Sequence, residues 1–518
     1  MIFRGIYALF LVLMITTCQS QQESSTTRPS NIVLIMGDDI GFSDLGCYGS
    51  SIQTPNLDQL AAEGMRFSHF YNMAKCETTR SVLLTGRYHG NEQVSSLGKT
   101  LSDHGYTSII CGKEHFQNWV PKHAYANQSF DHSLVYWAIN EFFVPPGGEF
   151  ANPYELNGQE VPIKGLNYEK EPFFKTDAFT DVALDFLDSA AAKEQPFFLY
   201  MPYHVAHYPL QAREEDIAKY RGKFLEGWDV LREKRHQRMI ELGVIAPDTK
   251  LSPPEGNINK FRGHPKGDED IRAKIPLYFP WNTLDQATKE TYDLEMAVFA
   301  AMIDRMDQNI GRIINKLEEM GERENTIILY LSDNGSCPYD SNRDFDNPPG
   351  GPASYRTLDP KWANLGNTPY RYFKQFGHEG GANTHLIVNW PNVIEPNSIT
   401  DQPGHLVDLM PTLYEAAGID FASYQNDNNL LPLHGSSLIP VWKGGTRAQP
   451  EFFISGFTDR FRMFRQGDWK IVKSNDGTWE LYNLIDDPTE LNNLATEHSD
   501  KLNELVKNYN ETKTEIYQ

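Results

Sequence analysis

The 518-residue chain is short of positive charge, of cysteine and of long apolar runs, and each shortage excludes something. Lysine and arginine number 47 against 69 aspartates and glutamates, a formal net charge of −22. A nucleic-acid partner needs a basic face to neutralise phosphates, so that class is excluded. The same deficit excludes long-range steering of an anionic ligand, and any bound anion has to be held by local cations in a pocket. Cysteine occurs only as Cys18, Cys47, Cys76, Cys111 and Cys337, with no Cys/His cluster at zinc spacing. Beyond Ile15 no apolar run is long enough for a membrane-spanning helix, and no internal repeat is visible. What is present, 40% hydrophobic and 12% aromatic residues, describes an ordinary globular chain. Its length suits one large domain with a smaller companion.

The N-terminus reads as an export signal. Arg4 precedes an apolar run over residues 6–15, too short to cross a bilayer. Thr16 and Thr17 then lead into Cys18 and a polar stretch up to residue 30. Small residues ahead of a cysteine resemble a bacterial lipoprotein cleavage site. The expectation is a lipoprotein-type signal peptide over 1–18, a lipid anchor on Cys18 and a polar tether over 19–30. The protein is then exported, as a periplasmic or cell-surface lipoprotein, with simple cleavage to a secreted form as the alternative.

Four short apolar runs, residues 32–36, 107–111, 196–201 and 326–331, read as strands buried on both faces. Past their carboxyl ends stand Asp38 and Asp39, then Lys113 and His115, then His204 and His207, then Asp333 and Asn334. In doubly wound α/β sheets ligands bind at that edge, so ionisable residues delivered there by four strands point to an active site. Adjacent carboxylates repel each other and need a compensating cation. Asp38, Asp39, Asp333 and the Asn334 carboxamide make an all-oxygen set suited to Ca²⁺ ahead of Mg²⁺.

Between the strands, helical spacing marks a segment opened by Thr54 and Pro55, and segments at 179–192, 294–317 and 409–417. Residues 117–175, with Trp119, Tyr136 and Trp137, read as long loops over the active face. Residues 213–291 are highly charged and read as an excursion outside the core. The fold class expected is α/β, a large mixed sheet sandwiched by helices over 31–431. After a Pro/Gly-containing link, short alternating runs and an amphipathic helix at 499–508 give a smaller α+β domain over 446–518.

Residues 76–87 read Cys-Glu-Thr-Thr-Arg-Ser-Val-Leu-Leu-Thr-Gly-Arg. The polar-then-apolar pattern puts Cys76 near the start of a helix, where free N–H groups and the helix dipole favour an anion. By itself the stretch reads equally as a packed cysteine. It resembles the sulfatase signature, Cys-x-Pro-x-Arg followed by Leu-x-Thr-Gly-Arg, at Cys76, Arg80, Leu83, Thr85, Gly86 and Arg87. It departs at Thr78, where the family most often has proline, sometimes alanine. Further elements follow in family order. Lys113 and His115 resemble the Gly-Lys-x-His element, with Glu114 where an aromatic is common. His207 precedes Tyr208-Pro209-Leu210, and Lys374 precedes the turn Glu379-Gly380-Gly381. From about Asn31 to the tail, the chain is similar to arylsulfatase-type sulfatases of the alkaline phosphatase-like superfamily.

The resemblance implies a mechanism. A maturation enzyme would oxidise Cys76 to formylglycine, whose hydrate is the nucleophile, polarised by the metal and Arg80. Asp38, Asp39, Asp333 and Asn334 would bind calcium. Lys113 and Lys374 would hold the sulfuryl oxygens, His207 would protonate the departing alcohol, and His115 would take the proton that releases sulfate. With Cys18 and Cys76 so assigned, three cysteines remain, an odd number that gives no disulfide framework. The implied substrate is a sulfated glycan or a small aryl sulfate. Two alternatives stay open: a phosphodiester or phosphonate monoester hydrolase of the same superfamily, and an inactive glycan-binding relative in which Thr78 leaves Cys76 a thiol.

Overall fold

The structure, a computed structural model, describes residues 28–517 apart from 146–147, 149, 151, 163–172, 194, 255–277, 340–345, 449, 456–460 and 475–476. The expected signal peptide, Cys18 and residues 19–27 of the expected tether lie outside the described residues.

Eleven described strands form one mixed sheet. In chain order they are β1 (Asn31–Gly37), β2 (Met65–Tyr71), β3 (Thr107–Lys113), β4 (His132–Tyr136), β5 (Tyr154–Leu156), β6 (Gln159–Val161), β7 (Phe197–Pro202), β8 (Thr326–Ser332), β9 (Asn383–Asn389), β10 (Ser398–Thr400) and β11 (Gly404–His405). Across the sheet the order is β10-β2-β9-β8-β1-β7-β3-β4-β5-β6, with β11 beside β2. The run β8-β1-β7-β3-β4 is parallel throughout, so its carboxyl ends share one edge. Central β1 explains the unbroken apolar run: Val33 and Ile35 pack into one core, Ile32, Leu34 and Met36 into the other. The helices Lys175–Ala191 and Gln286–Glu319 cover the first face. The helices Cys76–Thr85 and Leu409–Ala416 cover the second.

The C-terminal region is an antiparallel meander of β12 (Glu451–Ser455), β13 (Phe461–Gln466), β14 (Trp469–Ser474) and β15 (Glu480–Asn483). The helix Ser499–Tyr517 packs on it through Leu505, Tyr509 and Ile516. This sheet is joined to the large domain by buried charge. Lys470 Nζ contacts Glu379 Oε1 at 2.5 Å and Glu490 Oε1 at 2.9 Å, all three side chains being 1% exposed or less. Arg371 donates to the Glu490 carbonyl at 2.7 Å, and His378 Nε2 meets Glu480 Oε2 at 3.1 Å. Arg371, His378 and Glu379 all lie in one segment, which also carries Lys374.

Four expectations need correction. Residues 117–175 are not all loop, because β4 continues the parallel sheet and Tyr136 is buried at its end. The described part of 213–291 is not outside the core: Ile217, Tyr220, Trp228 and Met239 pack into it. The helix Gly227–Glu241 looked solvated because its cations are paired where sequence cannot show it. Arg235 meets Asp44 at 2.8 Å, both side chains buried. Finally, β2 was missed because the alternation of Met65 and Phe67 with Arg66 and Ser68 breaks at His69, where its register with β9 shifts, and because Arg66 is buried, donating to the Cys47 carbonyl. The long helix also begins a turn or more earlier than its apolar stripe, at Gln286, capped by Asp285, whose side chain accepts from the Thr288 N–H.

Candidate active site

The helix Cys76–Thr85 starts at the cysteine itself and ends on Gly86, whose φ of 65° is the left-handed value that closes a helix. Cys76 is 3% exposed. Arg80, four residues on, faces the same way and is fully buried. Its Nε and Nη2 donate to Asp333 Oδ2 at 3.1 and 2.8 Å, and its Nη1 to the Lys113 carbonyl at 3.1 Å. The Thr79 hydroxyl donates to the Asp333 carbonyl at 2.6 Å, so the helix start is fastened to the end of β8.

The four central strands bring the remaining residues to this point, except Lys374, which arrives on the segment that joins the small sheet. Asp38 Oδ2 accepts from Lys113 Nζ at 2.6 Å. Asp39 Oδ1 accepts from Asn334 Nδ2 at 2.7 Å and from Lys374 Nζ at 2.5 Å. His207 Nε2 lies 3.7 Å from Asp39 Oδ2, while its Nδ1 donates to the Tyr208 carbonyl at 2.8 Å. His115 Nδ1 is 3.4 Å from Cys76 Sγ. Lys113 and His115 both reach the site although His115 has left the strand geometry, at φ 50°. All ten residues singled out from sequence therefore converge: Cys76, Arg80, Lys113, His115, His207, Lys374, Asp38, Asp39, Asp333 and Asn334.

The oxygen set fits a hard cation. Asp38 Oδ1, Asp39 Oδ2 and Asn334 Oδ1 are buried and accept no hydrogen bond from the described residues, an expensive condition unless a cation satisfies them. Asp38, Cys76 and Asp333 each offer an atom within 4.8 Å of one another, as do Asp38, Asp39 and His207. Formal charge gives the same answer. Asp38, Asp39 and Asp333 balance Arg80, Lys113 and Lys374, so a divalent cation would leave an excess of positive charge for an anionic ligand. The ionisation of the site reflects this balance. Burial opposes charge on Asp38, but Lys113, His207, Arg80 and Lys374 hold its carboxyl well below the usual range. Burial and the Asp38 charge push Asp333 up despite Arg80. Burial would lower Lys374, yet Asp39 holds it well above the usual lysine value. Burial draws His207 down to about 3 against the opposing pull of Asp39.

Other residues fall differently from expectation. His204 backs the site instead of entering it. Its Nδ1 lies 2.6 Å from Lys175 Nζ, and its ring stacks on Phe142 and on His207. Lys175, buried and held well below the usual lysine value by burial and by Lys113, was missed because it opens a helix in what reads as loop. Glu114 turns away and accepts from the Ala126 N–H at 2.7 Å. Thr78 is buried, its hydroxyl accepting from Gln117 Nε2 at 3.0 Å. Of the loop at 337–353, residues 340–345 lie outside the described residues.

Residues 30–419 match the family model described as Sulfatase. The chain belongs to the sulfatase family. A second family model, N-sulphoglucosamine sulphohydrolase C-terminal, matches residues 369–516 and so spans both the Lys374 segment and the small sheet. The sulfatase is 31% identical to an uncharacterized sulfatase of Schizosaccharomyces pombe, over 94% of this chain and 93% of that one. It is 29% identical to an arylsulfatase of Klebsiella aerogenes, over 82% of this chain and 93% of that one. Among solved structures it resembles Ps i-CgsB in complex with k-i-k-neocarrahexaose, with a TM-score of 0.66, 23% identity, and 95% and 93% of the two chains covered. The fold is the alkaline phosphatase-like α/β fold with a C-terminal domain, and the sulfatase is a sulfuric ester hydrolase.

Proposed function

We propose that the protein releases inorganic sulfate from a sulfated carbohydrate, using formylglycine at position 76 and a calcium ion. The observation that carries this reading is the set of three unpartnered buried oxygens, on Asp38, Asp39 and Asn334, beside Cys76 and three cations. Asp38, Asp39, Asp333 and Asn334 would hold the ion, which when bound supplies Lewis-acid polarisation of the sulfuryl group. A carbohydrate substrate is favoured by the oligosaccharide held by Ps i-CgsB, and an aryl sulfate by the arylsulfatase relative. The N-terminal pattern supports export, with Cys18 as lipid anchor.

The chain's own residues divide the chemistry. Lys113, Lys374 and Arg80 are positioned cations in a buried site, where fixed charge stabilises the developing charge of sulfuryl transfer most. One hydroxyl of the hydrated aldehyde at position 76 attacks sulfur in line with the ester oxygen, its proton passing to the adjacent Asp333 carboxylate as the S–O bond to the ester breaks. His207 presents Nε2 to the departing alcohol, and an anionic sulfate ester alongside raises the proton affinity of that imidazole. His115 then takes the proton of the remaining hydroxyl. Its electron pair forms the C=O bond, the C–O bond to sulfate breaks, and sulfate leaves with the aldehyde restored. A plain thiol or serine would instead leave a covalent sulfo-enzyme for water to attack.

The test is mass spectrometry of the peptide containing residue 76, from protein made in its native host, with turnover of an aryl sulfate and an aryl phosphodiester on the same preparation. Formylglycine and preference for the sulfate are expected. An unmodified thiol sinks the formylglycine mechanism, and preference for the phosphodiester sinks the substrate class.

A further inference from the structure

The signature places Glu77 directly after the nucleophile, a position the proposed chemistry leaves without a role. Its carboxylate does not point to solvent. Glu77 Oε2 lies 3.4 Å from His115 Nε2, and the side chains are only 14% and 18% exposed. On its other ring nitrogen, His115 faces Cys76 Sγ at 3.4 Å. Lys75 Nζ holds the second carboxylate oxygen, Oε1, at 2.8 Å, which fixes the carboxylate from behind. The three side chains form a line of carboxylate, imidazole and nucleophile. The backbone on both sides is committed to it. Cys76 and Glu77 occupy the first turn of a helix, and His115 sits in the left-handed region immediately after β3.

We infer that Glu77 is the positioning residue for His115. A neutral imidazole carries one proton, and a carboxylate at Nε2 selects the tautomer with the proton on that nitrogen. The Nδ1 lone pair is then directed at position 76. When His115 takes the hydroxyl proton there, the same carboxylate faces the resulting imidazolium and stabilises it, the role an acidic residue plays in carboxylate–histidine–nucleophile triads. The cations around His115 oppose its protonation: burial and Lys113 hold it well below the usual histidine value, with Glu77 pulling the other way. The Glu77 carboxylate beside the ring offsets part of that opposition, Asp38 contributing in the same direction.

This inference rests on the proposed function for the step it serves, not for the geometry it asserts, and two measurements separate them. The first uses ¹⁵N-histidine-labelled protein. The His115 imidazole, identified by its loss in His115→Asn, should show the Nε2-protonated tautomer in the wild type and a mixture in Glu77→Ala, whether residue 76 is thiol or aldehyde. An unchanged tautomer in Glu77→Ala overturns the inference. The second uses aldehyde-containing protein, with the aldehyde verified in each variant by peptide mass. Glu77→Ala should lower kcat about 10- to 100-fold with KM within about twofold, and should accumulate a sulfate ester on residue 76, seen as a mass gain on that peptide. Glu77→Gln, which keeps an oxygen able to face Nε2–H but loses the charge, should fall between wild type and alanine. Wild-type turnover in Glu77→Ala with no sulfated peptide overturns the inference, as does an equal loss in both variants accompanied by lowered thermal stability.

Discussion

Replacing Lys470 with methionine tests how the small sheet is held to the large one. Methionine keeps most of the aliphatic stem and removes only the charge, so the apolar surroundings stay filled. Two carboxylates, Glu379 and Glu490, then face each other in a buried site with their shared cation gone. Tyr71 still donates to Glu379, at 3.0 and 3.1 Å, and Arg465 still donates to Tyr71, but neither replaces the ammonium between the two acids. Removing one partner of a buried ion pair costs about 3–5 kcal/mol. The protein can limit that loss by protonating one glutamate, which at pH 7 costs about 3.5 kcal/mol from an ordinary carboxyl and at pH 5 only about 1 kcal/mol. The sign follows from the wild type, where Glu379 is held below its usual value: burial opposes the charge but Lys470 outweighs it. Such a group contributes stability that is present above its unfolded value near 4.5 and lost only as pH falls through the lower folded value. The wild type therefore keeps its advantage at pH 5, and the deficit shrinks there because the variant protonates a glutamate more cheaply. For a single transition of a chain this long the unfolding entropy is about 1 kcal/mol per degree, so the variant should melt about 3–4 °C lower at pH 7 and about 1 °C lower at pH 5. Thermal denaturation followed by circular dichroism at both pH values gives the answer. A deficit under 1 °C at pH 7, or one that does not shrink at pH 5, refutes the reasoning.

Two further outcomes follow from the geometry. Calcium added to metal-stripped protein should raise the melting temperature in a concentration-dependent way, and Asp39→Asn should abolish most of that shift; equal shifts in both proteins would place the ion elsewhere. Glu480 is held to about 2 against an ordinary 4.5, burial opposing the charge but the His378 contact prevailing, so its contribution is present above about pH 4.5 and lost towards pH 2. Glu480→Gln should lower stability at pH 7 by about 1–3 kcal/mol and flatten the acid limb of the stability curve, which denaturant titrations across that range would reveal.

The site was legible in the sequence because its chemistry is punctuated. An apolar run ending in Asp38-Asp39 or Asp333-Asn334 needs no tertiary knowledge to be read as a strand delivering ligands to an edge. Cys76 and Arg80 share a helix face by spacing alone. What sequence could not supply was compensation at a distance. Arg235 looks solvated until Asp44, nearly two hundred residues away, neutralises it. Lys175 looks like a loop residue until His204 and the Asn140 carbonyl are seen around its ammonium. Glu77 looks like an ordinary helix-start acid until His115 arrives from β3. The small sheet was legible as alternating runs, but β12 and the charged join to Glu379 were not, since that join pairs residues on either side of the expected domain boundary.

The central position of β1 has a consequence for how the protein is made. Ile32 pairs with Phe198 on one side and Ile327 on the other, so the first strand synthesised waits for neighbours that appear about 170 and 300 residues later. At translation rates of about 5–20 residues per second, the second wait is about 15–60 s. Until β8 arrives, an apolar strand has an unsatisfied edge, and Asp333 is not yet there to hold Arg80. Cys76, nearly sealed in the finished molecule, spends that interval on an open chain. An enzyme that has to enclose the chain around residue 76 would find it far more accessible before the sheet closes than after.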